Sequence, residues 1–310
     1  MRYFTEVVRR GSFSAAARKL KVSQPALSMR IQQLEGELGY KLVDRSIRPL
    51  EPTAEGRVFL ERSREILRSV DELEAISVEL GQEVKGELEV GIIPTISAYL
   101  VPLFMDALLE AHPVVVISVQ EMITEDIIEG LKWGSLDAGI VSTPLNVKGV
   151  VFTPLFYEKF YLYVSPRHRM YDVQEIDLQD FRPEELWYLR EGNCFQNQVN
   201  AMCRLSGQRV EGERMRYASD SIESLRRIVE NRGGMCFIPE LATITIPGEM
   251  EDLVKEIREP VPVREVSLAT TRSQAKGKLL EVFGRAIVEN IPPSMRSGEQ
   301  HPLYSPLLSL

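Results

Sequence analysis

From Gly86 to about residue 290 the chain alternates strand-forming runs with stretches of helical length, and this alternation limits the architecture more than any other feature. The strand-like runs are GELEVGII (86–93), VVVISVQE (114–121), LDAGIVS (136–142), FYLYVS (160–165), LWYLRE (186–191), GMCFIPE (234–240) and REVSLATT (264–271). Helical runs lie between them at 97–111, 124–133, 195–206, 221–231 and 274–290. Parallel strands need a crossover long enough to hold a helix, so this order predicts βαβ units. The long excursion between Tyr163 and Arg264 predicts two such sheets rather than one large one. With 310 residues, 44% of them hydrophobic, the chain has apolar material for two or more cores. No run approaches the ~18 apolar residues of a membrane span, and MRYFTEVVRRGSFSAAARKL is too charged for a secretory signal. A cytoplasmic protein without a membrane partner is expected.

The N-terminal fifth follows a different pattern. Residues 1–60 hold 11 basic and 6 acidic side chains, so a chain whose total charge is −8 carries +5 there and −13 in the remainder. A basic module attached to an acidic body suggests an anionic partner for that module alone. Ser14 precedes Ala15, Ala16, Ala17 and Leu20, a short helix; Lys21 and Val22 make a tight turn, and Ser23 caps a second helix running to Gly39. Leu27, Ile31, Leu34 and Leu38 form its buried stripe. Its other side carries Gln24, Pro25, Ser28 and Gln32, with Arg30 close by, the kind of short polar groups that reach base edges in a major groove. KLVDRSIRPLEPT then alternates around Arg45 and Arg48, predicting a two-stranded wing that lies on phosphates. From Thr53 to about Gly81 a long helix carries Leu60, Leu67, Val70, Leu73, Ile76 or Ser77, and Leu80 at roughly heptad spacing, a stripe that needs a partner.

The segment SFSAAARKLKVSQPALSMRIQQLEGELGYKLVDRSIRPLEPTAEG resembles, without a gap, the winged helix-turn-helix of the LysR-type transcriptional regulators. The resemblance implies an α/β chain with an N-terminal winged helix-turn-helix, a long linker helix and a two-lobed regulatory domain like a periplasmic binding protein. It places the DNA-binding domain at 1–53, the dimerising linker helix and hinge at 54–85, and the regulatory domain at 86–290. Lobe I is then 86–164 with 264–290 and lobe II is 165–263, the chain crossing near Ser165 and returning near Val263; residues 291–310 form a loose tail. It further implies a few more residues before the RYF stretch than this chain has. The implied partners are an operator in double-stranded DNA, further copies of the chain in a dimer or homotetramer, and RNA polymerase. A basic module has no use in catalysis, so an enzyme is not expected.

Only three cysteines occur, Cys194, Cys203 and Cys236, and the three histidines have no ligand spacing to them, so neither a secreted disulfide scaffold nor a metal site is expected. Cys194 follows Gly192 and Asn193 into a helical first turn, where unpaired amide groups and the helix dipole lower a thiol pKa. Cys203 comes nine residues later. In an unbroken helix the two would lie ~13 Å apart on opposite faces, whereas a disulfide needs Cα atoms within about 7 Å. Bonding them would require the helix to unwind, so oxidation would become a change of shape. Cys236, inside GMCFIP, reads as a core residue.

The G-N-C segment with its second cysteine nine residues on, the GIIPTISAYLVP stretch and Thr124 in QEMITEDIIEGL resemble the hydrogen-peroxide-sensing members of that family. This finer resemblance implies that Cys194 is the peroxidatic thiol and Cys203 the resolving one. It also implies that Thr95, Thr124 and Asn193 surround the peroxide and that Arg272 lies near the thiolate. The chain departs from the pattern at Asn193, where a histidine is usual, at Gln196 and Asn197, and at Gln120. No cofactor is implied. The other reading is a small organic effector bound in the inter-lobe cleft, with the cysteines incidental.

Overall fold

A computed structural model describes residues 1–79, 84–178, 180, 182–190, 192–203, 217, 219–271, 276–297 and 302–304, with the side chains of 68, 71–79 and 183 left aside. Contacts divide the chain into two compact units, the first made chiefly of the residues up to Glu83 and the second chiefly of those from Val84 on.

The first unit opens with α1 (Arg2–Arg10), α2 (Phe13–Lys19) and α3 (Gln24–Leu38). Ser12, not Ser14, caps α2 by accepting from the Ala15 N–H, while the Ser14 hydroxyl donates to Gln24 Oε1 at 2.8 Å. Ser23 caps α3 as its position predicts, accepting from Ala26 N, and Gly39 ends that helix at φ 79°, a left-handed conformation that favours glycine. Phe4, Val7, Ala16, Ala17, Leu27, Ile31, Leu42, Val43, Leu50 and Leu60 make the core; Leu34 and Leu38 are only partly covered. The wing is β1 (Val43–Asp44) antiparallel to β2 (Glu51–Pro52). Helix α4 (Ala54–Glu79) follows directly. It approaches the wing so closely at Gly56 that a Cβ there would lie 2.0 Å from the Leu42 carbonyl oxygen, which explains the glycine. Val58, Ile66 and Val70 on α4 are exposed, and Leu67 is half-buried. The side chains of Leu73, Ile76 and Leu80 fall outside the described residues.

The second unit runs in order through β3 (Gly86–Ile92), α5 (Pro94–Ala111), β4 (Val115–Glu121), α6 (Thr124–Trp133), β5 (Ala138–Thr143), β6 (Val150–Val164), β7 (Glu175–Ile176), α7 (Cys194–Met202), α8 (Ile222–Arg232), β8 (Met235–Pro239), α9 (Glu240–Thr243), β9 (Val254–Ile257), β10 (Val263–Thr271) and α10 (Gly277–Asn290). Its strands follow the order β4-β3-β5-β10-β6-β9-β7, with β8 also on β6. The expected parallel pattern holds for β3 with β4 and β5, and for β7 with β9. It fails in the middle, where β10 is antiparallel to β5 and β6, and β6 is antiparallel to β8 and β9.

Strand β6 explains the difference. It is 15 residues long, pairs with β10 up to Lys159, and pairs with β8 from Phe160 on. One continuous strand thus serves both halves of the unit, so the change of partner comes at 159–160 rather than near Ser165. The run expected as a strand at 186–191 makes none over its described residues 186–190, where Leu186 forms an isolated bridge to Met235. Beyond α10 the chain is not loose throughout: Ile291 and Met295 are buried, and Leu303 bridges to Val263.

Candidate thiol site and nucleic-acid interface

Three helices of the second unit begin on residues that the sequence singles out. Cys194 is the first residue of α7, Thr124 the first of α6, and Thr95 the second of α5. All three are buried, at 5%, 3% and 1% exposure. Asn193 caps α7 by accepting from the Phe195 N–H at 3.0 Å, and its own amide donates to Asp220 Oδ1 at 3.1 Å. Asn193 thus fixes the helix start rather than supplying charge. Thr124 stands close enough to the Cys194 sulfur for its hydroxyl to stabilise a thiolate, and that hydroxyl has no well-formed partner elsewhere among the described residues.

The cation beside the thiol is Arg264, which sequence reasoning missed. Its side chain is fully buried on β10, directly across the ladder from Glu158 on β6. Arg264 Nε donates to Glu158 Oε1 at 2.7 Å, and Nη1 and Nη2 donate to the Thr95 hydroxyl at 3.1 Å and the Thr95 carbonyl at 3.2 Å. Its guanidinium carbon lies 4.9 Å from the centre of the Phe195 ring. The Thr95 hydroxyl therefore accepts from Arg264 and keeps its own proton to donate. Arg264 and Glu158 lie in largely apolar strands, but each has a charged neighbour of opposite sign, Glu265 and Lys159, so neither stands out in the sequence, and their pairing depends on a register that only the folded sheet sets. Arg272, the cation expected there, lies outside the described residues.

The expectation of a depressed Cys194 pKa is not met. Burial is the largest influence and pushes it above the ordinary cysteine value; Arg264, the Thr124 hydroxyl and the Phe195 N–H pull it down, and Glu125 pushes it up. The helix terminus is outweighed because desolvation penalises a buried thiolate, and Arg264 is already paired with Glu158. Cys203 follows α7 as its C-terminal cap, is half-buried, and has its pKa pushed up to about 12 by burial. Cys236 on β8 is fully buried, and burial likewise raises it. All three are free thiols. The nine helical residues of α7 keep Cys194 and Cys203 roughly 13 Å apart along its axis. Gln120 is exposed on β4, whereas Gln196 is buried, accepting from Leu189 N and donating to Asn200 Oδ1.

In the first unit, α3 presents Gln24, Pro25 and Gln32 in exposed positions and Ser28 half-exposed. Arg30 is exposed too, but two residues from both Ser28 and Gln32 it points about 200° around the helix, onto another side. The Ser23 hydroxyl is occupied in capping. Arg45 lies 3.6 Å from Glu35 and 5.1 Å from the Phe13 ring centre, so it is partly held by its own unit. Arg48 is exposed at the wing, with Nη1 donating to the Ile47 carbonyl. Glu35 was also missed: 3% exposed, it accepts from Leu42 N and Val43 N and from Lys41 Nζ, tying α3 to the wing. Among the described residues no helix is long and apolar enough to cross a membrane.

Comparisons with known proteins match both units. Residues 1–57 match the bacterial regulatory helix-turn-helix protein, LysR family, and residues 81–292 match the LysR substrate binding domain. The hydrogen peroxide-inducible genes activator of Haemophilus influenzae is 33% identical over 232 residues, covering 75% of this chain and 76% of that protein. The DNA-binding transcriptional dual regulator OxyR of Escherichia coli K12 is 29% identical over 242 residues, 78% of each chain. A full-length OxyR variant from Pseudomonas aeruginosa superposes with a TM-score of 0.77 at 28% identity, covering 94% of this chain and 97% of that one. The helix-turn-helix, the α/β regulatory unit and these matches carry one conclusion: the chain belongs to the LysR family of transcriptional regulators and is not an enzyme.

Proposed function

We propose that this regulator senses hydrogen peroxide through Cys194 and changes shape by forming a Cys194–Cys203 disulfide. The observation that carries the reading is the setting of Cys194. It is the first residue of a helix, beside the Thr124 hydroxyl and the Arg264–Thr95 pair, with a second thiol at the other end of that helix. The names of the Haemophilus and Escherichia relatives support the signal. In the reaction the Cys194 thiolate attacks one peroxide oxygen and the O–O bond breaks. A sulfenic acid forms and the leaving hydroxide takes a proton to become water. The Thr95 and Thr124 hydroxyls are set to orient the peroxide and donate to the leaving oxygen, and Arg264 to offset the charge. The Cys203 sulfur, giving up its proton, then attacks the sulfenic sulfur. The S–S bond forms and the oxygen departs as a second water. Because α7 separates the thiols beyond disulfide reach, this last step unwinds it.

The output is DNA binding by a 1–53 module through Gln24, Pro25, Ser28 and Gln32 on α3, with Arg48 and Arg45 of the wing on phosphates. Residues 54–85 join subunits into a dimer or tetramer, and the 86–290 domain, its lobes meeting at β6 and β10, carries the sensor. RNA polymerase is the further partner. The test is mass mapping of the reduced full chain after one equivalent of peroxide. Two titratable thiols are lost, Cys194 is joined to Cys203, and Cys236 stays free. Cys194→Ser abolishes the loss, and Cys203→Ser traps a sulfenic acid. Three persistent thiols would overturn the reading in favour of an organic effector.

A further inference from the structure

Gln198 sits on α7 between the two thiols, four residues after Cys194, and is fully buried. Its Nε2 donates to the Ser142 hydroxyl on β5 at 3.1 Å and to the Tyr304 carbonyl at 2.6 Å. Tyr304 belongs to the C-terminal segment, which is laid against the first residue of β10. Val263 N donates to the Pro302 carbonyl at 3.1 Å, and Tyr304 N donates to the Val263 carbonyl at 3.2 Å. The Tyr304 side chain packs against the core, and Ile291 and Met295, just beyond α10, are buried as well. One buried amide thus joins the helix carrying the thiols to β5 and to a C-terminal strap, and the strap grips the neighbour of Arg264.

We infer that Gln198 and the strap at 302–304 hold the reduced conformation and set the redox poise of the thiol pair. Gln198 is a positioning residue, acting through α7. The inference rests on the Cys194–Cys203 disulfide proposed above. An intact α7 keeps those thiols too far apart to bond, and unwinding the segment between them carries Gln198 off both acceptors. Its hydrogen bonds therefore belong to the dithiol state alone. Bonds present in only one of two states bias the equilibrium between them by their full net strength. Oxidation then also frees the strap, whose carbonyl loses its buried donor.

The experiment equilibrates the full chain in glutathione redox buffers and measures the dithiol–disulfide midpoint. The same is done for Gln198→Met, which keeps the length but not the donor, and for a chain ending at Ser297. Both variants shift the equilibrium toward disulfide by roughly 10-fold, a midpoint about 30 mV more negative. Gln198→Met has a smaller effect in the shortened chain, because its strap acceptor is already gone. In hydrogen exchange of the unmodified chain, the Val263 and Tyr304 amides are protected when reduced and exchange faster after oxidation. If the disulfide forms but the midpoint stays put in the shortened chain, even with a lowered melting temperature, the strap does not set the poise. Equal protection in both redox states overturns the strap's release. Failure of Cys194 and Cys203 to bond in the unmodified chain sinks the sensing mechanism itself, a different result from an unmoved midpoint.

Discussion

Arg264 and Glu158 form an ion pair with both side chains at 0% exposure, 2.6 Å apart, beside the Cys194 thiol. A buried pair recovers its desolvation cost only when both partners stay, so Arg264→Ala strands a carboxylate, at a cost of about 3–5 kcal/mol. Glu158→Gln is the more informative change, because it keeps the shape and an acceptor for the Leu241 N–H that Glu158 holds at 3.1 Å. Without the opposing carboxylate the guanidinium acts more fully on Cys194. Burial holds that thiol above its ordinary pKa, so little thiolate exists at neutral pH and single-turnover oxidation should accelerate as pH rises. In Glu158→Gln the thiol pKa falls and the rise in rate moves to lower pH. The pH profile of stopped-flow peroxide consumption measures both, and an unchanged profile would show that Arg264 does not act electrostatically on the thiol. Cys194, Cys203, Thr95 and Thr124 were candidates from short sequence motifs, and the structure sets Cys194, Thr124 and Thr95 buried in the first turns of their helices. Arg264 was not a candidate, because a cross-strand partner 106 positions away leaves no local trace.

At the level of elements, the proposed roles in the first unit fall to α3, the wing and α4. Outward positions of α3 hold short polar groups, whereas the wing holds the exposed Arg48, so substitutions should separate by kind. Gln32→Ala is expected to relax base preference at one position of each half-site by about 1–3 kcal/mol of discrimination. Arg48→Ala should weaken all duplexes alike and reduce the salt slope by about one. Binding titrations on specific and scrambled duplexes at several salt concentrations test this; equal losses on every sequence for both variants would contradict the division. Helix α4 carries the exposed Val58, Ile66 and Val70, at 64%, 49% and 38% exposure, spaced so that the last two share a side. If α4 joins subunits as proposed, Ile66→Glu with Val70→Glu should turn a dimer or tetramer into monomers in light scattering at micromolar concentration, because two charges cannot enter an apolar seam without desolvation. Helix starts at Ser23 and Cys194 could be read from their caps. The start of α2 at Ser12 rather than Ser14 could not, since both serines fit the rule and tertiary contact with Gln24 takes the second.

Across the whole molecule, the amino-acid order determined whatever depends on neighbours close along the chain. That includes the basic helical module, the wing, the long apolar-striped helix, the alternation after Gly86 and the nine-residue spacing of Cys194 and Cys203, since helical periodicity, capping and charge are local properties. Tertiary structure decided three matters. Strand β6 runs unbroken through 15 residues and pairs with β10 and then β8, so the two halves share a strand where separate parallel sheets were expected. The run from Leu186 is apolar enough for a strand, but among its described residues 186–190 no ladder takes up more than Leu186, and strand identity belongs to the pair rather than to the segment. The sign of the Cys194 pKa shift is the third. Helix position is visible in sequence and favours a thiolate, but the degree of burial and the prior pairing of Arg264 with Glu158 exist only after folding. In a water-poor site the desolvation of the charge outweighs the helix terminus.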